Sequence, residues 1–187
     1  YITINISSPN TENLRNFHDE TKFDELMNSI QEEKVKIKSK IPIVVKISPD
    51  ISEDQIGIIS KILLDHKVSA IIVSNTTAKN REKLNNILKH QKGGLSGKPL
   101  EEEANKLISK FYELLKGKIE IIGVGGVDSG ESACRKFLAG ASYIQLYTGM
   151  VFQGPNIVGK IKKELKEILK AEGIKNFREI IGKKQSN

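Results

Sequence analysis

The chain has 187 residues, of which 38% are hydrophobic and 28% are charged, and this balance excludes a chain that is disordered by composition. Lysine and arginine number 30 against 23 acidic residues, a net charge of +7 that would suit nucleic acid or anionic lipid. The lysines are spread along helical stretches and aromatic residues make up only 5%, so we predict no nucleic-acid partner. The single cysteine, Cys134, excludes an internal disulfide and a cysteine-based zinc site, and we predict no metal site.

Five short β-branched runs alternate along the chain with stretches of helical periodicity. The predicted strands span residues 2–6, 43–47, 70–74, 119–124 and 143–147. The predicted helices span residues 24–38, 52 to about 66, 99 to about 116, 129–138 and 156–169. Because the strands are apolar on both faces, we expect a parallel sheet that is covered by helices.

Alternating strand and helix units predict an α/β fold, either an open doubly wound sheet or a (β/α)8 TIM barrel. Polar residues follow every predicted strand and glycines follow the last two, and both features favour the barrel. Scaling five units to eight gives about 300 residues, close to the size of a barrel with insertions. We therefore expect residues 1–187 to form a single domain, the C-terminal portion of a barrel, with about the last five units present and the N-terminal portion absent.

Glycine-rich loops follow the last three predicted strands. Residues 93–97 read Gly-Gly-Leu-Ser-Gly, residues 123–127 read Gly-Val-Gly-Gly-Val, and residues 147–149 read Tyr-Thr-Gly. Glycine lets backbone N–H groups approach a phosphate closely, and in barrels the loops after the last two strands often hold one. The pattern predicts a phosphate site, and a large phosphorylated cofactor would contact all three loops.

Polar side chains also stand at the ends of the first two strands. Lys46 ends an apolar run, so it needs an anionic partner or a position at the barrel mouth, where it would stabilise negative charge on a cofactor. Strand alternation places Asn5 on the barrel-interior side. Both residues are therefore candidates for contact with a ligand.

A turn rich in hydroxyl and amide groups follows the first strand. Pro9 ends this strand and turns the chain, so we expect Ser8, Asn10 and Thr11 to converge. Residues 75–77, Asn-Thr-Thr, repeat this chemistry at the end of the third strand. Because asparagine amides both donate and accept hydrogen bonds, the two clusters predict a planar substrate that carries amides and a carboxylate.

Six motifs stand in order along nearly the whole chain. They are Asn-Ile-Ser-Ser-Pro-Asn-Thr (5–11), Val-Lys-Ile-Ser-Pro-Asp (45–50), Ser-Asn-Thr-Thr (74–77), Gly-Gly-Leu-Ser-Gly-Lys-Pro-Leu (93–100), Ile-Gly-Val-Gly-Gly-Val-Asp-Ser (122–129) and Gln-Leu-Tyr-Thr-Gly (145–149). Together they resemble the class 2 dihydroorotate dehydrogenase family. The resemblance implies an FMN-containing flavoprotein, an oxidoreductase of pyrimidine (UMP) biosynthesis that oxidises dihydroorotate to orotate and passes the electrons through FMN to a quinone.

The resemblance also implies a role for each matching residue. Ser8 resembles the catalytic base, which the class 1 enzymes replace by cysteine, and Thr11 resembles the threonine that relays the proton. The implied substrate-binding positions are Asn5, Asn10, Asn75 and Thr76. The implied cofactor-binding positions are Asn5, Lys46, Ser74, Ser96, Gly97, Gly125, Gly126, Tyr147 and Thr148.

The chain departs from the family pattern at residues 12–15, which read Glu-Asn-Leu-Arg where the family commonly has Pro-Gly-Leu-Arg, so we expect a differently shaped loop over the substrate. The resemblance implies that the early strands are not in this sequence. It implies the same of the N-terminal helical segment that receives the quinone and makes a peripheral contact with the bacterial or mitochondrial inner membrane. Two alternatives stay open: a flavin barrel that acts on RNA, and a non-catalytic phosphate-binding remnant if the chain stands alone. We expect the isolated chain to be inactive.

Overall fold

The computed structural model describes residues 1–11, 13–79, 81–82 and 84–183, in which strands and helices alternate. The strands are β1 (Ile2–Asn5), β2 (Ile43–Lys46), β3 (Ala70–Val73), β4 (Glu120–Gly123) and β5 (Tyr143–Ile144). The α-helices are α1 (Glu20–Lys36), α2 (Glu53–Asp65), α3 (Glu101–Leu115), α4 (Gly130–Ala139), α5 (Thr148–Gln153) and α6 (Ile157–Ala171). Short 3-10 helices lie at Leu14–His18, Ile87–His90, Lys98–Leu100 and Phe177–Ile180.

The five strands form one parallel sheet whose spatial order is the same as the order in the chain, β1-β2-β3-β4-β5. A doubly wound sheet changes direction at a switch point and therefore does not keep the chain order. Each crossover here moves one strand further in the same direction, as it does in a barrel. The structure confirms the predicted α/β class and shows part of a (β/α)8 barrel.

Strand alternation divides the side chains of the sheet between two cores. One face joins the helices in a large core, which includes Val45, Ile71 and Ile121 from the central strands. The other face carries a small cluster of Val44, Ala70, Ile72 and Ile122. Because successive residues point to opposite faces, Lys46 lies on the same face as Val44, the face that a closed barrel encloses. Asn5 is the register partner of Lys46 on β1 and shares this face.

Local capping sets the helix boundaries, and most agree with the predicted ones. Ser52 begins α2 with a capping box, in which its hydroxyl accepts from the Gln55 N–H at 3.3 Å and the Gln55 side chain accepts from the Ser52 N–H at 2.9 Å. Helix α1 begins earlier than predicted, because the Asp19 side chain accepts from the Lys22 N–H and caps it. Within the described ranges, no helix is both long and apolar enough to cross a membrane.

The last predicted strand, residues 143–147, is too long. Strand β5 ends at Ile144 because β4, its partner, ends at Gly123, after which Gly125 and Gly126 turn the chain with positive φ angles. Residues 145–147 lead into α5, a helix that is absent from the predicted elements. The sequence does carry a signal for the end of this helix, since Gly154 and Pro155 follow Gln153, its last residue.

The sheet has two edges, β1 and β5, and in the described part of the chain each pairs on one side only. Apolar side chains are exposed near both edges, with Tyr1 69% and Ile2 48% exposed at β1, and Val151 66% and Phe152 84% exposed beyond β5. Unpaired strand edges beside exposed apolar surface favour association between chains.

We therefore expect the 187-residue polypeptide, expressed by itself, to self-associate rather than remain a monomer. Size-exclusion chromatography with light scattering over a range of protein concentrations measures this directly. A stable monomer over a wide concentration range would contradict the prediction.

Candidate active site

One cavity of about 660 Å³ lies where the chain leaves strands β2 to β5. This volume is within the usual range for a site that binds a small molecule or a cofactor. Except for Asn5, every residue predicted to contact the cofactor lines it, and two predicted substrate-binding residues join them. These lining residues are Lys46, Ser74, Asn75, Thr76, Ser96, Gly97, Gly125, Gly126, Tyr147 and Thr148.

The loop after β4 forms a backbone cradle on the wall of this cavity. Gly125 and Gly126 have φ angles of 105° and 76°, in the region that favours glycine. Among the described residues, their backbone N–H groups donate to no other group. A Cβ atom at Gly126 would lie 2.4 Å from the Cβ of Glu101, so only glycine fits there. Free backbone N–H groups in such a turn are suited to an anion.

A second part of the cavity wall is made by the loop before α3 and the start of α5. The Thr148 hydroxyl donates to the Ser96 hydroxyl at 2.9 Å and joins the two segments. Gly97, with a φ angle of 76°, lies so close that a Cβ atom would be 2.9 Å from Cγ2 of Thr148. Of the predicted glycine loop at residues 93–97, only Ser96 and Gly97 line the cavity.

An ion-pair network, which no sequence motif predicts, supports this wall. Buried Glu101 contacts Lys98 Nζ at 2.7 Å and Arg135 Nε at 2.7 Å, and Lys98 also lies 3.4 Å from Asp128. Burial by itself raises the pKa of Glu101, but the hydrogen bonds from Arg135 and Lys98 outweigh it and the net pKa is lowered. Glu101 therefore remains charged, and the two cations are neutralised by protein groups.

Lys46 contributes a different kind of cation to the cavity. It is half-buried at the end of β2, and burial lowers the pKa of its ammonium group. Among the described residues, its side chain has no hydrogen bond and no ion pair. A desolvated lysine without a partner attracts an anionic ligand strongly, because little water screens its charge.

Ser7 connects the loops after β1 and β3. Its hydroxyl donates to Oδ1 of Asn5 at 2.5 Å and accepts from Nδ2 of Asn75 at 2.8 Å. Ser7 is fully buried, whereas Asn5 is exposed. The motif at residues 5–11 predicts a role for Ser8 and none for Ser7, although alternation places Ser7 on the same side as Asn5.

The turn at residues 8–11 lies beside the cavity and not in its lining. The Ser8 hydroxyl accepts from the Asn10 N–H at 3.2 Å, so these two residues converge as predicted. Thr11 is exposed, and its side chain makes no hydrogen bond within the described part of the chain. Glu12 lies outside the described residues. Asn13 adopts a left-handed conformation, with φ of 62°, which asparagine tolerates better than most residues.

Asp50 connects three of the loops that surround the cavity. Its carboxylate accepts from Arg15 Nη1 at 3.0 Å, from the Ala78 N–H at 2.9 Å and from the Thr77 hydroxyl. These partners follow β1 and β3, and Asp50 itself follows β2. The Asp50 side chain is only 3% exposed, so these bonds are shielded from water. The Ser-Pro-Asp motif at residues 48–50 by itself predicts no role for this aspartate.

We expect Asp50→Ala to lower the free energy of unfolding by about 3 kcal/mol, near the lower end for a buried ion pair because the Arg15 side chain is 29% exposed. The cost arises because Arg15, whose Nε and Nη2 atoms already have no hydrogen-bond partner in the described region, would lose Asp50 too. Denaturant unfolding of the full-length protein measures the change. Asp65→Ala, at an exposed position, is the control and should change stability by less than about 0.5 kcal/mol. Equal effects of the two substitutions would refute the role of Asp50.

Comparison with known proteins gives consistent matches over most of the chain. The profile of the family described as dihydroorotate dehydrogenase matches residues 1–169. A protein of Psychrobacter sp. (strain PRwf-1) named dihydroorotate dehydrogenase (quinone) is 41% identical over 162 residues, which are 84% of this chain and 47% of that protein. A mitochondrial protein of Mus musculus with the same name is 38% identical over 184 residues, 97% of this chain and 47% of that protein.

Solved structures agree with these sequence matches. The crystal structure described as ligand-free type DHODH from Eimeria tenella superposes with a TM-score of 0.94 and 32% sequence identity. The superposition covers 100% of this chain and 56% of that one. The chain therefore spans about half the length of the curated relatives and solved structures that it matches.

Proposed function

Because the chain belongs to the dihydroorotate dehydrogenase family, we propose that it forms the later half of an FMN-dependent enzyme that oxidises dihydroorotate to orotate in pyrimidine biosynthesis. The observation that carries this proposal is the single cavity that joins a glycine cradle, an unpaired lysine and the amide of Asn75. Relatives named dihydroorotate dehydrogenase (quinone) match 84% to 97% of the chain. The comparisons lend no support to a flavin barrel that acts on RNA.

The residues around the cavity fit FMN. The free N–H groups of Gly125 and Gly126 suit its phosphate, and Ser96, Gly97, Tyr147 and Thr148 suit the phosphate and the ribityl chain. Lys46, Ser74 and Asn5 would hold the ring, and the charge of Lys46 would favour negative charge there. When bound, FMN supplies the acceptor for the two electrons of the oxidation.

We expect Gly126→Leu to abolish flavin binding, because any side chain at this position collides with Glu101 and displaces the cradle. The flavin content of the purified full-length protein, measured by absorbance, tests this. Gly173→Leu is the matched control, since Gly173 also has a positive φ angle, 69°, but has open space around it. Stoichiometric flavin in a folded Gly126→Leu protein would refute the assignment of the cradle.

The proposed substrate site lies where the loops after β1 and β3 meet. Asn5, Asn10, Asn75 and Thr76 supply amide and hydroxyl groups for the ring and carboxylate of dihydroorotate. Ser8 is the proposed base for the proton that leaves carbon. Serine is a weak base at its ordinary pKa, so Ser8 needs a proton relay, which we assign to Thr11 and water.

We expect Ser8→Ala to leave flavin content and orotate binding nearly unchanged, since neither depends on this hydroxyl. Reduction of the flavin by dihydroorotate should slow by about 10²-fold or more, the usual loss for a positioned general base. Anaerobic stopped-flow spectroscopy of the full-length protein measures this rate. Ser109→Ala, on the distant α3, is the control and should keep the parent rate. An unchanged rate in Ser8→Ala would mean that another group removes the proton.

We further propose a quinone as the electron acceptor, since the matching proteins of Psychrobacter and Mus musculus carry that word in their names. The same relatives include bacterial and mitochondrial proteins, and we propose a peripheral location at the inner membrane in either setting. The contact with quinone and membrane is assigned to a segment outside the 187 residues. Quinone reduction by the full-length protein, compared with reduction of soluble acceptors, tests the proposed electron acceptor.

A further inference from the structure

Ser7 lies at the centre of a series of hydrogen bonds. In each of them, the atom that donates and the atom that accepts can be assigned. Both its hydroxyl, at 2.5 Å, and its backbone N–H, at 3.2 Å, approach Oδ1 of Asn5. A backbone N–H can only donate, so the Asn5 atom that faces it must be the oxygen. Both lone pairs of this oxygen are then occupied, and the Asn5 amide presents its two N–H groups away from Ser7.

The amide of Asn75 is oriented in the same way. Its Oδ1 accepts from the Thr76 N–H at 2.8 Å, which can only donate. Nδ2 of Asn75 must then face Ser7, to whose hydroxyl oxygen it donates at 2.8 Å. The Ser7 oxygen is the acceptor in this bond, so the hydroxyl proton of Ser7 goes to Asn5.

Apart from a second lone pair on Oδ1 of Asn75, the hydrogen-bonding groups that the two amides leave unused are N–H donors. Two N–H groups remain on Asn5 and one remains on Asn75, and the described residues take none of them. Lys46, the register partner of Asn5, adds a cation without an ion-pair partner on the same face of the sheet. A ligand between these groups has to supply acceptor atoms and negative charge.

We propose that Ser7 is a positioning residue that holds the amides of Asn5 and Asn75 with their N–H groups toward the substrate, and thereby selects ligands that present acceptor oxygens. The inference rests on the proposed function, in which dihydroorotate and orotate offer a carboxylate and ring carbonyls. Ser7 itself is fully buried and acts through the two amides. Without the Ser7 hydroxyl, each amide keeps one hydrogen bond from a backbone N–H group and gains freedom to rotate.

The test compares the binding of two ligands to the flavin-loaded, full-length protein. Orotate presents a carboxylate at ring position 6, and its 6-carboxamide replaces one acceptor oxygen with a donor NH2 group. Titration followed by the flavin absorption spectrum gives both dissociation constants. We expect Ser7→Ala to weaken orotate binding by about tenfold and to lower the preference for orotate over the carboxamide by a similar factor, as for the loss of one or two hydrogen bonds.

Ser60→Ala is the matched control, because Ser60 is also a buried serine but its hydroxyl donates to Ile56 O within α2. It should keep the parent preference. If the Ser7→Ala protein loses its flavin, Ser7→Cys is used in its place, because cysteine is similar in size but forms only weak hydrogen bonds. Ser7→Cys should show the same loss of preference for orotate over the carboxamide. An unchanged preference in a flavin-loaded Ser7 variant overturns the inference. Failure of the parent protein to bind either ligand would instead contradict the proposed function.

Discussion

The parallel arrangement of β1 to β5 in chain order is the constraint on which the candidate site depends. In a parallel sheet the C-terminal ends of all strands lie on the same side of the sheet. Every loop that follows a strand therefore lies next to the loops that follow the neighbouring strands. The glycines after β4, the lysine at the end of β2 and the asparagine after β3 are brought near one another for this reason. The helices cover the opposite face and bury the large core that keeps the strands in register.

Two polar residues with buried side chains fix the positions of these neighbouring loops. Ser7 joins the loops after β1 and β3, and Asp50 joins both of them to the loop after β2. The side chains of Ser7 and Asp50 are buried, and this strengthens their hydrogen bonds because water competes less for them. Neither residue lines the cavity, so both act by placing the groups that do. The site is therefore held by interactions between loops and not by the sheet alone.

Charge is distributed unequally around the cavity. Lys98 and Arg135 are paired with the carboxylates of Glu101 and Asp128, whereas Lys46 has no ion pair in the described part of the chain. The positive charge available to a ligand is thus concentrated at the end of β2, and the glycine cradle offers uncharged N–H donors. This separation suits a ligand with a phosphate at one end and an electron-accepting ring at the other, as the proposed FMN has.

The sequence by itself determined the repeating units, the capping box at Ser52, the glycines of the cradle and the faces of Asn5 and Lys46, since these follow from local spacing and alternation. Only the tertiary structure decided that Ser7 meets Asn75, 68 positions away, and that Asp50 meets Arg15 and Thr77. Such contacts depend on the register between strands, and a shift of one residue would turn each side chain to the other face. The early end of β5 also depends on pairing between strands, because β5 continues only as far as its partner β4 does.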